Sequence, residues 1–181
     1  MPNASKDMPI LGKGNHVIIT DLGRKDYMEC WRLQHQVHRA RDAGLLSDSL
    51  LLVEHNPVFT FGKNGKMDSL HIPEHVLQER GISCITVERG GDVTYHGPGQ
   101  LVGYPIFGLR ENGLGIDDFV RSLEEVMIRI LQSYGLESER NARNRGVWLS
   151  DEKIGFVGIA VRREISFHGF ALNVDPDLSF F

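Results

Sequence analysis

The chain has 181 residues, of which 41% are hydrophobic and 24% charged, which suits one soluble domain with a sizeable core. A formal net charge of −4 offers no general basic field, so no nucleic-acid partner is expected. Two cysteines, Cys30 and Cys84, make neither a disulfide framework nor a C-x-x-C metal motif. No apolar run reaches the length of a membrane span, and Met1 to Asn15 carry neither a signal-peptide nor a transit-peptide pattern. The expectation is a cytoplasmic protein that engages no membrane.

Residues 1–15, with Pro2, Pro9, Gly12 and Gly14, read as a flexible N-terminal lead-in, and residues 16–181 as one folded domain. His16 to Thr20 is a short β-type run. From Asp26 to Arg41, Tyr27, Trp31, Gln34 and Val37–His38 recur at helical spacing, and Gly44 closes the helix. Leu50 to Glu54 is a continuous apolar run, as in a strand covered on both faces. His55-Asn56-Pro57 turns the chain, Val58 to Phe61 resumes extended structure, and Gly62 to Lys66 is a polar loop. Pro73 to Arg80 forms a short helix ended by Gly81. Ile82 to Val87 and Gln100 to Phe107 are strands flanking a glycine-rich loop. Asp117 to Tyr134 carries a continuous apolar stripe, with Asp117 placed to cap its start and Gly135 its end. Glu137 to Arg145 is a polar loop. Gly146–Leu149, Lys153–Arg162 and Ile165–Val174 are successive strands. The basic clusters at Arg140, Arg143 and Arg145, and at Arg162 and Arg163, read as solvated surface. The order of elements predicts an α+β (α/β) fold, a mixed β-sheet packed by helices on one side.

The stretch from Arg89 to Gln100 holds four glycines and a proline among Arg89, Asp92, Thr94, Tyr95, His96 and Gln100. A plain hairpin turn needs one or two glycines. Glycines in this number instead allow a ligand to lie against the main chain. Lys153 and His168 are further candidates. Lys153 enters an apolar, glycine-containing strand, where partial burial would lower its pKa and suit it to proton transfer; a surface lysine at a turn is the alternative. His168 lies in a strand interrupted by Gly169. His71 and His75 have metal-type spacing, but Pro73 lies between them and no glutamate follows His71, so no metal is expected. Cys84 and Cys30 read as core residues.

The run Arg89-Gly90-Gly91-Asp92-Val93-Thr94-Tyr95-His96-Gly97-Pro98-Gly99-Gln100, continued to Pro105, resembles the signature of the lipoyl(octanoyl) transferases. Leu51 to Thr60, Gly146-Val147-Trp148, Lys153-Ile154 and Phe167 to Val174 agree in order and spacing. The resemblance implies a biotin/lipoate protein ligase-like catalytic domain over residues 16–181. It implies transfer of an octanoyl group from octanoyl-acyl carrier protein to a lysine of lipoyl domains, those of 2-oxoacid dehydrogenases and of the glycine cleavage H protein. The thioester donor is already activated, so no ATP and no cofactor are expected. A cysteine would form an acyl-thioester, with Lys153 lowering its pKa and able, once deprotonated, to take a proton from the attacking amine. Arg89 to His96 (Gly90, Gly91, Asp92, Val93, Thr94 and Tyr95 included), Phe156-Val157-Gly158 and Gly169-Phe170-Ala171 would hold the substrate, with backbone N–H groups at the developing oxyanion. The family's cysteine falls in a Pro-Cys-Gly segment shortly after the position of Phe181, and neither Cys30 nor Cys84 lies in a matching segment. The resemblance therefore implies a domain incomplete at its C-terminus and inactive alone. An ATP-dependent lipoate or biotin ligase, and a non-catalytic acyl- or lipoyl-domain-binding protein, are the competing readings.

Overall fold

The computed structural model describes residues 16–70, 72–141 and 144–180. The expected lead-in before His16, and His71 and Arg143, lie outside the described residues. Among the described residues ten strands and three α-helices follow in the order β1 (Ile18–Lys25), α1 (Tyr27–Asp42), β2 (Ser49–His55), β3 (Val58–Phe61), α2 (Glu74–Glu79), β4 (Ser83–Thr86), β5 (Val93–His96), β6 (Gln100–Ile106), α3 (Ile116–Ser133), β7 (Glu139–Arg140), β8 (Val147–Leu149), β9 (Glu152–Arg162) and β10 (Ile165–Asn173).

The strands form two sheets where the sequence suggested one. A seven-stranded sheet runs β1-β2-β6-β10-β9-β8-β7, and a three-stranded sheet runs β4-β3-β5. β1 pairs with β2 in parallel and the other pairs of the large sheet are antiparallel. In the small sheet β3 pairs with β4 in parallel and with β5 antiparallel. Asn56-Pro57 carries the chain out of the large sheet into the small one, and Gly97-Pro98-Gly99 carries it back. The supposed loop from Arg89 to Gln100 thus contains a strand, because Val93 to His96 supply the edge that β3 needs.

The two long helices cover opposite faces of the large sheet, not one side. Period-two alternation sends Leu51, Val53, Val102, Tyr104 and Phe167 to the face where Cys30, Leu33 and Val37 of α1 pack. Leu50, Leu101, Val157, Ile159 and Phe170 point the other way, against Phe119, Leu123, Met127 and Leu131 of α3. The fully buried members, such as Val102 and Met127, each contribute about 1.5–3 kcal/mol. α2 covers the small sheet through Leu77, which packs with Phe59, Phe61 and Tyr95.

Helix ends follow local chemistry. Asp26 caps α1 by accepting from the N–H groups of Met28 and Glu29 at 2.9 and 3.2 Å. At α3 the N-cap is Gly115 and no side chain caps it; Asp117 instead lies in the first turn, paired with Arg145 at 2.6 Å. Gly135, at φ +77°, follows the end of α3. The surface arginines are neutralised locally: Arg140 meets Glu124 and Glu125, and Arg163 meets Asp42. Among the described residues no helix is long and apolar enough to cross a membrane.

Candidate active site

A cavity of about 610 Å³ opens where the small sheet faces the middle of the large one. From the glycine-rich stretch it is lined by Arg89, Gly90, Gly91, Asp92, Val93, Thr94 and His96. β9 contributes Lys153, Phe156, Val157 and Gly158, and β10 contributes His168, Gly169, Phe170 and Ala171. Tyr95 is the exception among the expected substrate residues. On the other face of β5 it stacks on Phe180 with centroids 4.6 Å apart and lines a separate apolar cavity of about 190 Å³.

The glycines are there because backbones meet. The N–H groups of Gly62, Lys63 and Asn64 donate to Asp92 O, Arg89 O and Gly91 O at 3.0–3.1 Å, clasping the turn that begins the cavity wall. A Cβ on Gly62 would stand 2.5 Å from Gly91 O. Gly90 N–H donates to Ile159 O at 2.9 Å, which ties the wall to β9. Gly91 takes φ +88°, which favours glycine.

Arg89 is a buried cation held by neutral oxygens. Its Nε and Nη2 donate to Thr60 Oγ1 at 3.2 and 2.9 Å, Nη2 also to Thr60 O at 2.6 Å, and Nη1 to Gly90 O at 3.0 Å. Burial lowers its pKa. Lys153 is half-buried, as the burial reading of the sequence required. Its Nζ donates to Asn144 Oδ1 at 3.0 Å and lies 5.1 Å from the centroid of Phe156 and 5.8 Å from that of Trp148. Desolvation lowers its pKa, and the charge of Glu124 opposes that shift.

Beneath the cavity two histidines are held neutral. His55 Nδ1–H donates to Lys25 O at 3.0 Å, so Nε2 accepts from Tyr104 OH at 2.7 Å. His96 Nδ1–H donates to Gln100 Oε1 at 2.7 Å, and Gln100 Nε2 donates onward to Asn173 Oδ1. Burial pulls the pKa of His55 down to about 4 and that of His96 to about 3. His168 sits at φ +54° with its N–H donating to Gln34 Oε1 at 2.8 Å. Its Nε2 is 3.2 Å from Glu88 Oε2, which also accepts from Trp31 Nε1–H at 3.0 Å. Burial lowers the His168 pKa against the pull of Glu88, so Nε2–H donates to a carboxylate and the ring is neutral near pH 7. The bond from His168, with that from Trp31, brings the Glu88 carboxyl down to about 2.

Tyr27, Val102 and Tyr104 also line the cavity, as do Ile116, Val120, Asn144, Arg145 and Ile159. The sequence reading did not select them. Tyr104 lies within the signature run, so its position was available; Tyr27, in the first turn of α1, had no local signal. Neither cysteine lines the cavity. Cys30 is in the core under α1 with burial pushing its thiol up to about 11, and Cys84 packs with the core of the small sheet. Among the described residues no group of histidine, cysteine and carboxylate side chains is arranged to hold a metal ion; the pairing of His71 with His75 lies outside them.

Residues 26–181 match the lipoyl protein ligase A/B catalytic domain. This chain belongs to that family. It is 47% identical over 163 residues to the octanoyltransferase of Desulfotalea psychrophila, covering 88% of this chain and 73% of that one. It is 44% identical over 163 residues to the octanoyltransferase of Solibacter usitatus, with 90% and 74% covered. It thus spans about three quarters of these relatives. Among solved structures it resembles a lipoate-protein ligase A bound with ATP (TM-score 0.71, 16% identity, 91% of this chain and 68% of that one). It also resembles the bi-partite lipoate protein ligase of Thermoplasma acidophilum studied with its E2 lipoyl domain (TM-score 0.69, 17% identity, 91% and 63% covered). At these identities the structural likenesses establish the fold, which is the ligase-type catalytic fold that the signature implied.

Proposed function

We propose that the chain supplies the acyl-binding cavity of an octanoyltransferase, which moves an octanoyl group from octanoyl-acyl carrier protein to a lysine of a lipoyl domain. The acceptors would be the lipoyl domains of 2-oxoacid dehydrogenases and the glycine cleavage H protein. The observation that carries this reading is the cavity of about 610 Å³, within the ordinary size of a small-molecule site, that joins apolar walls to one half-buried ammonium. Val93, Phe156, Val157, Phe170 and Ala171 offer the octanoyl chain an apolar slot. Arg89 to Thr94, with His96, Gly158 and Gly169, bring polar groups and close main chain to its thioester end.

The nucleophile in this reading is the cysteine of a Pro-Cys-Gly segment outside residues 1–181, since neither Cys30 nor Cys84 reaches the cavity. Lys153, as an ammonium, favours the thiolate. The thiolate attacks the donor thioester, the C–S bond to the carrier breaks, the carrier sulfur leaves as a thiol with a proton from the Lys153 ammonium, and an acyl-thioester remains. The acceptor amine then attacks that carbonyl, its proton passing to the now neutral Lys153 amine as the amide C–N bond forms, and the C–S bond breaks to return the thiolate. Main-chain N–H groups of the glycine-rich segments receive the oxyanion.

The test is incubation of the full-length protein with octanoyl-acyl carrier protein and an unmodified lipoyl domain in the absence of ATP, read by mass spectrometry of the lipoyl domain. Octanoylation without ATP is the expected result. An absolute need for ATP would make the protein a ligase, and binding without transfer would make it a carrier. Transfer by residues 1–181 alone would return the nucleophile to Cys30 or Cys84.

A further inference from the structure

Lys153 changes state twice in the transfer. It begins as an ammonium, gives a proton to the leaving carrier thiol, and takes one back from the acceptor amine. A lysine with that duty has to be aimed, and its charge has to be set, yet its stem is long and flexible. We propose that Glu124, a buried carboxylate on α3, is the positioning residue of Lys153: it pins the strand bulge that aims the lysine into the cavity and sets a negative charge beside it. The proposal rests on the octanoyl-transfer reading above. Glu124 does not line the cavity, so it acts through Lys153 and not on the substrate.

The backbone around Lys153 is irregular. On β8 Val147 and Trp148 are consecutive, yet their partners on β9 are Gly155 and Lys153, so Ile154 is an extra residue and β9 bulges directly after the lysine. Bulges re-aim side chains beside active sites. Residues of α3 hold both strands at this bulge. Glu124 Oε1 accepts from Gly146 N–H at 2.9 Å, at the entry to β8. Met127, three residues on and so on the same helix face, closes over Gly155, where a Cβ would stand 2.9 Å from its Sδ. Gly146 itself, at φ +130°, lies against the lysine stem: a Cβ there would come 2.5 Å from Lys153 Cε and 3.3 Å from Nζ. A single main-chain residue therefore joins the carboxylate to the side chain that it positions.

Burial adds the electrostatic part. Glu124 is 4% exposed, and carboxylates are seldom buried without a partner. Its second oxygen is 3.3 Å from Arg140 Nε, while Arg140 has a closer partner in Glu125 at 2.6 Å. Arg89, Asp92 and Arg145 share the cavity with Lys153, as do the neutral His96 and His168. Glu152 precedes it on β9, and Glu124 and Arg140 approach from α3 and β7. Among these it is the charge of Glu124 that opposes the desolvation of Lys153. An ammonium held in this way supports the thiolate at the start, and the amine left after proton donation is basic enough to recover a proton from the acceptor.

The experiment titrates Lys153 in the full-length protein. Trace acetylation with acetic anhydride across neutral and alkaline pH, read by mass spectrometry of the peptide that holds Lys153, gives the pH at which its amine becomes free. In parallel, the pH dependence of acyl-enzyme formation from octanoyl-acyl carrier protein gives an alkaline limb, where the ammonium is lost. Glu124→Gln keeps an oxygen for Gly146 N–H and removes the charge. It should move the Lys153 titration and the alkaline limb together to lower pH, by about half to one unit. Arg140→Met removes the cation that screens Glu124 and should move both to higher pH, a reversal that a purely structural role would not produce. A Lys153 titration unmoved in Glu124→Gln, whatever happens to the rate, overturns the proposal, and so does an alkaline limb that fails to follow it. Should Glu124→Gln fail to fold, Arg140→Met decides in the same way, its upward shift supporting the proposal and an unmoved titration overturning it. A wild type that forms no acyl-enzyme defeats the transferase reading, and the acetylation shift still decides whether Glu124 governs Lys153.

Discussion

Thr60 and Arg89 give the most quantitative test of how the cavity wall is held. Thr60 has no exposed surface, and its hydroxyl accepts from both Nε and Nη2 of a guanidinium that, among the described residues, no carboxylate neutralises. Thr60→Val keeps the volume and the β-branched shape of the side chain, and removes only the oxygen. Hydrogen bonds to charged groups contribute about 1.5–3 kcal/mol. The two contacts share one oxygen and one of them is long, so together they count as little more than one bond. The expected loss is about 2–3 kcal/mol, or a fall in Tm of roughly 4–12 °C for a domain of this size. Thr60→Ser is the control: it keeps the oxygen and gives up a methyl, costing about 1 kcal/mol. Urea unfolding of the three proteins ranks them. If packing alone mattered, Val would be the more stable variant; if Arg89 needs the hydroxyl, Ser is. A valine variant as stable as the serine one would mean that the backbone carbonyls of Thr60 and Gly90 suffice for the buried cation, and would refute the reasoning.

His55 gives an acid-sensitive component. Its pKa falls from 6.5 unfolded to about 4 folded, so its stabilisation is complete above pH 6.5 and is lost as pH drops to 4, roughly 3 kcal/mol in all. His55→Gln should flatten the stability-versus-pH curve in that window, measured by urea unfolding; an unchanged slope contradicts the assignment. In the full-length protein, Lys153→Met should raise the pKa of the nucleophilic thiol by about one unit, read from the pH dependence of iodoacetamide alkylation, while Lys153→Arg raises it less. Identical profiles in wild type and both variants would leave Lys153 with no part in tuning the thiol. Gly169→Ala would put a Cβ onto the carbonyl oxygen of Gly103 and 2.5 Å from Pro105 Cδ. That overpacking should cost about 1–3 kcal/mol, and an unchanged urea midpoint would show that β6 yields freely.

Local chemistry made much of this fold legible. Asp26 announces α1, the stripe from Phe119 to Leu131 announces α3, and strand runs such as Leu50 to Glu54 and Ile165 to Val174 lie within two residues of the observed ends. What failed was anything set by distant partners. The sequence pattern cannot say that Val58 to Phe61 leaves the sheet of Leu50 to Glu54, because both runs read as buried strands and differ only in whom they pair with. The sequence pattern put Asp117 at the cap of α3, whereas Gly115 holds that place and Asp117, one residue into the helix, pairs with Arg145, 28 positions away. The same holds at the cavity. The glycine-rich stretch, Lys153 and His168 carry local signals, whereas Tyr27 and Tyr104 reach the site only because α1 and β6 pack beneath it. Tyr95 faces the smaller apolar cavity because its side chain lies on the face of β5 opposite to Thr94 and His96.

The excursion between the two sheets also bears on the order in which the chain can assemble. β2 and β6 are neighbours in the large sheet, yet roughly 45 residues separate them, and closing a loop of that length costs conformational entropy that rises with the logarithm of its length. Those residues contain the whole small sheet. The pairing of Val58 with His96 brings the exit from β2 and the entry to β6 within one strand spacing of each other. Once β3 and β5 have zipped, the effective loop is a few residues instead of dozens, about three halvings, which lowers the closure cost by roughly 2 kcal/mol. A small sheet formed first would thus act as a splint, aligning the strands on which the larger sheet is built.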